Sequence, residues 1–232
     1  MNISLAHVFA RTCTYASLLV GSATTFTRSM ETIVEDIAVA RPHWFASVPR
    51  IYEKVYDKIM DKVNHAPPIR RALFNWALGK GRTAYPDVLA GQEPGGFGYG
   101  LADKLVLSKV REGLGGRVHY CISGGAPLPP FVNEFFHAIG VRILEGYGLT
   151  ETSPVVGVNG IDPGMTRIGT IGKAIDGVEV KLTTPAKTVA DCFRFRKHVG
   201  LEVAIEALGQ PVHGVGLCAQ YRQSQLDQFL FF

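Results

Sequence analysis

The chain has 232 residues, enough for one large or two small domains, and 47% of them are apolar and 19% charged, as in ordinary globular proteins. The net charge of +4 is small, and Lys and Arg are spread along the chain instead of forming a basic stripe with interleaved aromatic residues. A nucleic-acid-binding surface is therefore not expected. The four cysteines lie far apart without zinc-ligand spacing, so a structural zinc is not expected either.

The N-terminal half of the sequence predicts helices on either side of one short strand. An apolar segment at 14–24 is too short to span a bilayer and follows no basic leader, so an internal strand or helix is expected. Ser29 is placed to cap a helix that runs to about Ala40, before Pro42. Further predicted elements are a buried strand over 44–48, a helix after Pro49 with apolar residues at i, i+4 spacing, and an amphipathic helix over 69–78.

A loop and one more helix are predicted next. Glycine and proline are frequent between Gly79 and Gly100, which favours an irregular connection. The stretch 101–110 is then predicted to be helical, with Gly113 near its end. The residues of this helix expected to face inward are Leu101, Leu105 and Val106.

The segment from Val118 to Glu151 is the most informative part of the chain. It predicts a strand over 118–122, a turn over 123–127, a helix opened by Pro129 and Pro130 and ended by Gly140, and a strand over 141–144. A strand, a crossover helix and a strand form a βαβ unit, in which the two strands are parallel. The glycine-bearing turns that follow both strands then lie at their carboxyl ends, where open α/β sheets bind ligands.

The two turns have the chemistry of a nucleotide site. Gly124 and Gly125 have no side chain, so a flat ring could lie against their backbone and use its polar groups. Tyr147 lies between two glycines and is free to stack on a planar base. Thr150 offers a hydroxyl to a phosphate oxygen, and Glu151 offers a hard carboxylate suited to Mg²⁺. These residues fit ATP, although composition alone favours the alternative of tight turns flanked by ordinary surface residues.

The literal strings decide between these interpretations. Tyr147-Gly148-Leu149-Thr150-Glu151-Thr152, with Ser123-Gly124-Gly125-Ala126-Pro127-Leu128 before it, closely resembles the adenylate-forming, or AMP-binding, superfamily. Within it, the chain is similar to the middle section of long-chain fatty acyl-CoA synthetases from about Leu5 to Leu182. The other strings that carry this similarity are Leu5-Ala6-His7-Val8-Phe9, Arg41-Pro42-His43-Trp44-Phe45, Ser47-Val48-Pro49-Arg50-Ile51-Tyr52-Glu53-Lys54-Val55 and Ile168-Gly169-Thr170-Ile171-Gly172-Lys173.

The resemblance implies an α/β fold and a two-step reaction. A fatty carboxylate attacks the α-phosphate of ATP to form acyl-adenylate and pyrophosphate, and the thiol of CoA then displaces AMP. By the same resemblance His7 would lie near the acyl carboxylate, Thr150 would touch phosphate and Glu151 would hold Mg²⁺. A purely structural role for a lone histidine is an equal alternative. The residues that would face adenine are Gly124, Gly125, Ala126, Pro127, Gly146 and Tyr147. Fatty acid, ATP, Mg²⁺ and CoA are thus the implied substrates and cofactor.

Two parts of the family's catalytic machinery are not found in the sequence. Gly21-Ser22-Ala23-Thr24-Thr25 has the composition of the family's phosphate loop, but it aligns with a later stretch and no lysine follows it. Beyond Leu182, neither an acidic ribose ligand nor a lid with a catalytic lysine is found. Because both parts stabilise charge at the α-phosphate, we expect a truncated ligase that does not make acyl-CoA by itself.

The expected organisation is a partial AMP-binding domain over 1–182 with the start of a β-rich subdomain, a helical appendage over 183–208 and an unassigned tail over 209–232. The appendage resembles the tail of AbiEi-type antitoxins, which leaves a regulatory protein with a toxin partner as an alternative. A non-functional product of a rearranged gene is another. We expect reduced thiols and a cytoplasmic location, with peripheral association at the inner face of the membrane left open.

Overall fold

The computed structural model describes residues 7–94, 97–150 and 155–175. The helices are α1 (Val8–Leu19), α2 (Ile33–Ala40), α3 (Pro49–Asn64), α4 (Pro68–Leu89), α5 (Phe97–Ala102), α6 (Ser108–Glu112) and α7 (Pro130–Ala138), with a π-helical turn (Asp103–Leu107) between α5 and α6. The strands are β1 (Trp44–Ser47), β2 (Tyr120–Ser123), β3 (Arg142–Tyr147), β4 (Gly157–Val158) and β5 (Lys173–Ala174). The predicted helical appendage and tail, 183–232, lie outside the described residues.

The five strands form one sheet in the order β1-β2-β3-β4-β5. β1, β2 and β3 are parallel neighbours, which confirms the βαβ unit predicted around α7. β4 and β5 continue the sheet in antiparallel pairs. The chain is therefore an α/β protein, and the start of a β-rich subdomain beyond this sheet stays a prediction.

The core lies between the parallel strands and helices α3, α4 and α7. Tyr52 on α3 packs edge-on against Phe136 of α7, with ring centroids 5.9 Å apart, and both side chains are buried. The Tyr52 hydroxyl donates to the carbonyl oxygen of Ile122 at 2.8 Å, and burial raises the pKa of this tyrosine well above its usual value, so it remains a donor. The four apolar residues predicted for α7, Val132, Phe135, Phe136 and Ile139, are all buried.

The first two helices agree with the sequence only in part. The apolar segment at 14–24 contributes to a helix, α1, which was one of the two expected outcomes. α2 begins at Ile33, because the Ser29 hydroxyl accepts the backbone N–H groups of Glu31 and Thr32 in a separate turn before the helix. Among the described residues, no helix has the length and apolar character that crossing a membrane requires.

The predicted loop from Gly79 to Gly100 is wrong over its first half, because α4 continues to Leu89 with Pro86 inside it. The reason is the packing of α4 on α7. A Cβ atom added at Gly81 would overlap the carbonyl oxygen of Ala138 and lie 2.8 Å from its carbonyl carbon. Glycine weakens an isolated helix, but here it lets two helix backbones touch, and the packing offsets the weakness.

The helix predicted over 101–110 is confirmed, and of its predicted inward residues Val106 packs against the core, whereas Leu101 and Leu105 do not. Leu101 and Leu105 are 41% and 42% exposed, whereas Ala102 and Leu107 are buried. The π-helical turn is the cause: its hydrogen bonds span five residues rather than four, which shifts the phase of the side chains around the helix.

His137 on α7 should make the stability of the fold depend on pH. Its side chain is buried and Nδ1 donates to the carbonyl oxygen of Asn133 at 3.0 Å, while burial lowers its pKa from 6.5 to about 4. Between pH 6.5 and about pH 4, His137 is therefore protonated in the unfolded chain but not in the folded chain. Stability is full above that pH, and about 3 kcal/mol of it should be lost as the pH falls to 4.

The measurement is the free energy of unfolding in urea between pH 7 and pH 4 for the wild type and His137→Gln. The variant should lose less stability than the wild type over this range. Exposed His119→Gln is the matched control and should keep the wild-type slope. Equal slopes for all three proteins would contradict the prediction.

Candidate functional site

Three parallel strands end side by side at the predicted ligand-binding edge. Ser47 of β1 is in register with Ser123 of β2, which is in turn in register with Glu145 of β3. The chain leaves β1 into α3 and leaves β2 into the turn that precedes α7. The carboxyl ends of the parallel strands thus lie at one edge, as the βαβ unit predicts.

The first glycine turn rests directly on this edge. The N–H of Gly124 donates to the carbonyl oxygen of Ser47 at 3.3 Å, and Gly125 has a φ of +88°, which favours glycine over other residues. A Cβ atom at Gly124 would lie 3.6 Å from the carbonyl oxygen of Gly146, so the two predicted turns are adjacent in space. Gly124 is buried, while the next three residues, Gly125, Ala126 and Pro127, are exposed and form an open rim.

The second glycine position is part of a strand. β3 extends to Tyr147, beyond its predicted end at 144, and the carbonyl oxygen of Tyr147 accepts the N–H of Val156 at 2.8 Å. A Cβ atom at Gly146 would lie 3.3 Å from Cγ2 of Val158, so packing against β4 already favours a glycine there. Tyr147 is half-buried and follows Gly146 directly at the edge.

Glu145 is a buried polar residue that sequence reasoning missed. One of its carboxyl oxygens accepts the N–H of Leu128 at 3.3 Å, and the other accepts the side-chain amide of Asn133 at 2.9 Å. These bonds fasten the end of β3 to the end of the first turn and to α7. The available signal was a carboxyl residue directly after the predicted strand over 141–144, combined with an amide on the preceding helix.

Two serine hydroxyl groups were also missed. Ser47 and Ser123 are buried neighbours on parallel strands, and neither Oγ atom has a hydrogen-bond partner among the described residues. Ser47 also lines a cavity of about 470 Å³ between β1 and segment 22–27. Both Oγ atoms are enclosed, so these hydroxyl groups are unpaired polar groups of the interior directly beneath the edge.

His7 lies at the start of α1, close to the first turn. Its Nδ1 accepts the backbone N–H of Phe9 at 3.2 Å, which caps the helix. The Phe9 ring lies 3.6 Å from the position of a Cβ atom at Gly124. The capping bond is a structural role for His7, and the contact of Phe9 brings the His7 segment to the same edge as the glycine turns.

The phosphate and metal positions are described only in part. Thr150 is exposed three residues after Tyr147, and Glu151 lies outside the described residues. Within 7–94, 97–150 and 155–175, no group of three or more His, Cys, Asp and Glu side chains is arranged to hold a metal ion. The assignment of Mg²⁺ to Glu151 therefore stays a prediction.

A parallel sheet with a glycine turn at its carboxyl edge, next to the end of a neighbouring strand, is typical of ligand-binding α/β proteins. The AMP-binding enzyme family matches residues 2–191, and the chain belongs to this family. The match passes the predicted domain end at Leu182.

Long-chain acyl-CoA synthetases are among the relatives. The chain is 33% identical over 186 residues to long chain acyl-CoA synthetase 3 of Arabidopsis thaliana, covering 78% of this chain and 27% of that protein. It is also 33% identical over 186 residues to the long-chain-fatty-acid–CoA ligase FadD15 of Mycobacterium bovis, covering 78% of this chain and 30% of that protein. The chain thus spans less than a third of the length of these curated relatives.

A solved structure has a similar fold. The A-PCP didomain of carboxylic acid reductase from Segniliparus rugosus, in complex with AMP, superposes with a TM-score of 0.51 and 26% sequence identity. The similarity covers 80% of this chain and 21% of that one.

Proposed function

We propose that this chain supplies the adenosine-binding part of an ATP-dependent long-chain fatty acyl-CoA ligase. The observation that carries the proposal is the contact between the turn at Gly124 and the end of β3 at Gly146, in a member of the AMP-binding family. The long-chain acyl-CoA synthetases among its relatives support the choice of a fatty acid as the acyl substrate.

Each residue at the edge has a proposed part in binding. The open rim Gly125–Pro127 presents backbone to one side of adenine, and the Tyr147 ring stacks on the base. The hydroxyl of Thr150 donates to a phosphate oxygen. Glu151 holds Mg²⁺, which when bound neutralises phosphate charge. The exposed rim Gly125–Pro127, in which Gly125 has no side chain, leaves room for a flat ligand beside the turn.

The reaction proposed for the whole enzyme needs little more than orientation from this edge. A carboxylate oxygen attacks the α-phosphorus, a P–O bond forms, and pyrophosphate leaves with the electrons of the broken P–O bond. The thiolate of CoA then attacks the acyl carbon and AMP leaves. The edge would hold the nucleotide in line for the first attack, and His7 would lie on the side of the incoming carboxylate.

Tyr147→Ala is expected to weaken AMP binding by about fivefold to 150-fold, because stacking of a base on an aromatic ring contributes ~1–3 kcal/mol. Tyr147→Phe should bind like the wild type, because the ring is kept. Isothermal titration of the 232-residue chain with AMP measures both.

Tyr15→Ala is the control, because Tyr15 is an exposed aromatic residue on α1. It should leave the affinity for AMP unchanged. A wild-type chain that does not bind AMP, or equal affinities for Tyr147→Ala and the wild type, would refute the nucleotide site.

The 232 residues by themselves are expected to form no acyl-CoA, because they span less than a third of the length of relatives that carry out the complete reaction. Purified chain is incubated with palmitate, ATP, Mg²⁺ and CoA, and palmitoyl-CoA is measured by mass spectrometry. A complete ligase among the relatives serves as the positive control. If the wild-type chain forms palmitoyl-CoA and Tyr147→Ala abolishes it, the expectation is wrong.

A further inference from the structure

A second concave surface lies on the helical side of the molecule and is formed by α2, α3, α4, α6 and the π-helical turn. We refer to it as the helical groove, and its volume is about 570 Å³. Its wall is apolar and includes Val34, Ile59, Leu73, Leu105 and Val110. None of the residues assigned above to the nucleotide edge lines it, so the helical groove is a separate site.

The apolar wall is open to solvent. Leu73 and Leu105 are 40% and 42% exposed, although both lie on helices that bury other apolar residues in the core. The π-helical turn directs Leu105 into the groove, while Leu107 on the same turn is buried. Contiguous exposed apolar surface of this kind marks binding sites more often than isolated exposed residues do.

The rim of the helical groove is cationic. Lys58, Lys62, Arg70 and Lys109 line it, and no Asp or Glu does. Lys58 is paired with Glu35, whereas the other three cations form no ion pair with any described residue. Lysine and arginine cover apolar walls with their methylene stems and keep their charges at the water boundary. The groove therefore presents an apolar wall under a positively charged opening.

We propose that the helical groove binds the free anion of a long-chain fatty acid, with its tail along the apolar wall and its carboxylate at Lys62, Arg70 and Lys109. A ligand with one acidic end and an apolar body matches both halves of the surface. The volume lies within the range of about 300–1,000 Å³ for small-molecule sites.

The site is additional to the nucleotide edge and does not depend on the function proposed for it. A fatty acid bound there would contact none of the residues at the carboxyl ends of β1, β2 and β3, because none of them lines the helical groove. It would be a store or an effector site for the class of molecule that the relatives of this chain are named for.

The test is isothermal titration of the 232-residue chain with dodecanoate below its micelle concentration. Leu73→Glu puts a like charge inside the wall and should weaken binding about tenfold or more, because a desolvated carboxylate without a partner is costly. Ile69→Glu is the matched control: it lies four residues earlier on α4, is 83% exposed and does not line the groove. It should bind like the wild type.

A second pair of variants tests the rim, and both members of the pair change the net charge by the same amount. Lys62→Glu with Lys109→Glu should weaken binding, whereas Lys80→Glu with Lys104→Glu, two exposed lysines outside the groove, should not. Dodecanol and acetate should each bind far more weakly than dodecanoate. Dodecanol lacks the carboxylate, and acetate lacks the apolar tail. Tyr147→Ala should leave dodecanoate binding unchanged, which separates this site from the nucleotide edge.

Several outcomes would overturn the proposal. The first is that dodecanoate does not bind, and the second is that dodecanol binds as tightly as dodecanoate. The third is that Leu73→Glu and Ile69→Glu lower the affinity for dodecanoate equally. A dimer in sedimentation that Leu73→Glu dissociates would show that a second copy of the chain occupies the groove. Binding to anionic vesicles without binding to free dodecanoate would assign the surface to a bilayer.

Discussion

Gly81→Ala should lower the free energy of unfolding by about 3 kcal/mol, the upper part of the range for overpacked sites. The added methyl group would overlap the carbonyl oxygen of Ala138, and its 2.8 Å distance to the carbonyl carbon is too short for any Cβ contact. Both atoms belong to the backbone of α7, so relief requires the two helices to move apart. Urea unfolding followed by circular dichroism measures the loss.

Gly79→Ala is the matched control on the same helix. No atom lies within 4 Å of a Cβ atom at Gly79, so the substitution should stabilise the chain by up to about 1 kcal/mol through helix propensity alone. If Gly81→Ala lowers the free energy of unfolding and Gly79→Ala raises it, packing on α7 sets the requirement for glycine at position 81, and helix propensity does not. A stabilising Gly81→Ala would contradict the close approach of α4 and α7.

Glu145→Ala should also cost about 3 kcal/mol, because it leaves two buried donors without acceptors. The donors are the N–H of Leu128 and the side-chain amide of Asn133. Without these two hydrogen bonds, the turn that presents Gly125–Pro127 would no longer be held to β3. AMP binding should therefore weaken as well. Unfolding in urea and titration with AMP measure the two effects separately.

The control for this change is Glu112→Ala, which removes an exposed carboxyl group at the end of α6 and should cost little. In a double-mutant cycle, Glu145→Ala and Asn133→Ala should cost less together than the sum of the single changes, because each removes the same hydrogen bond. Additive losses would show that the two side chains act independently.

Local patterns predicted the elements that surround the candidate site. α7 followed from two prolines at its start, an apolar stripe and a glycine after its end, and β2 and β3 from short apolar runs beside it. Their parallel pairing then followed from the crossover rule. These features are set within a few residues along the chain, so the sequence alone determines them.

Tertiary contacts set the features that were missed. Nothing local distinguishes Gly81, which two helices need, from a glycine that ends a helix. The hydrophobic pattern over 101–110 assumed a regular helix, and the π-helical turn changed which residues face inward. Glu145 is tolerated in the interior only because Leu128 and Asn133 supply donors from other elements.

The candidate site itself was located by motif rather than by physical pattern. The strings around Gly124 and Tyr147 indicated the family, which the match over residues 2–191 confirms. The roles of His7, Thr150 and Glu151 stay predictions. Gly146 shows why roles are harder to assign than positions, because a Cβ atom there would lie 3.3 Å from Cγ2 of Val158, a tight contact that disfavours a larger residue without any ligand.

The π-helical turn also affects how this chain should be aligned with its relatives. It takes up one extra residue without breaking the helix, so the elements before and after it keep their places in the fold. A relative with a regular α-helix at this point would need a one-residue gap within Asp103–Leu107. Without that gap, every position from there to β2 would be paired with the wrong neighbour, and Leu105, which lines the helical groove, would be mistaken for core.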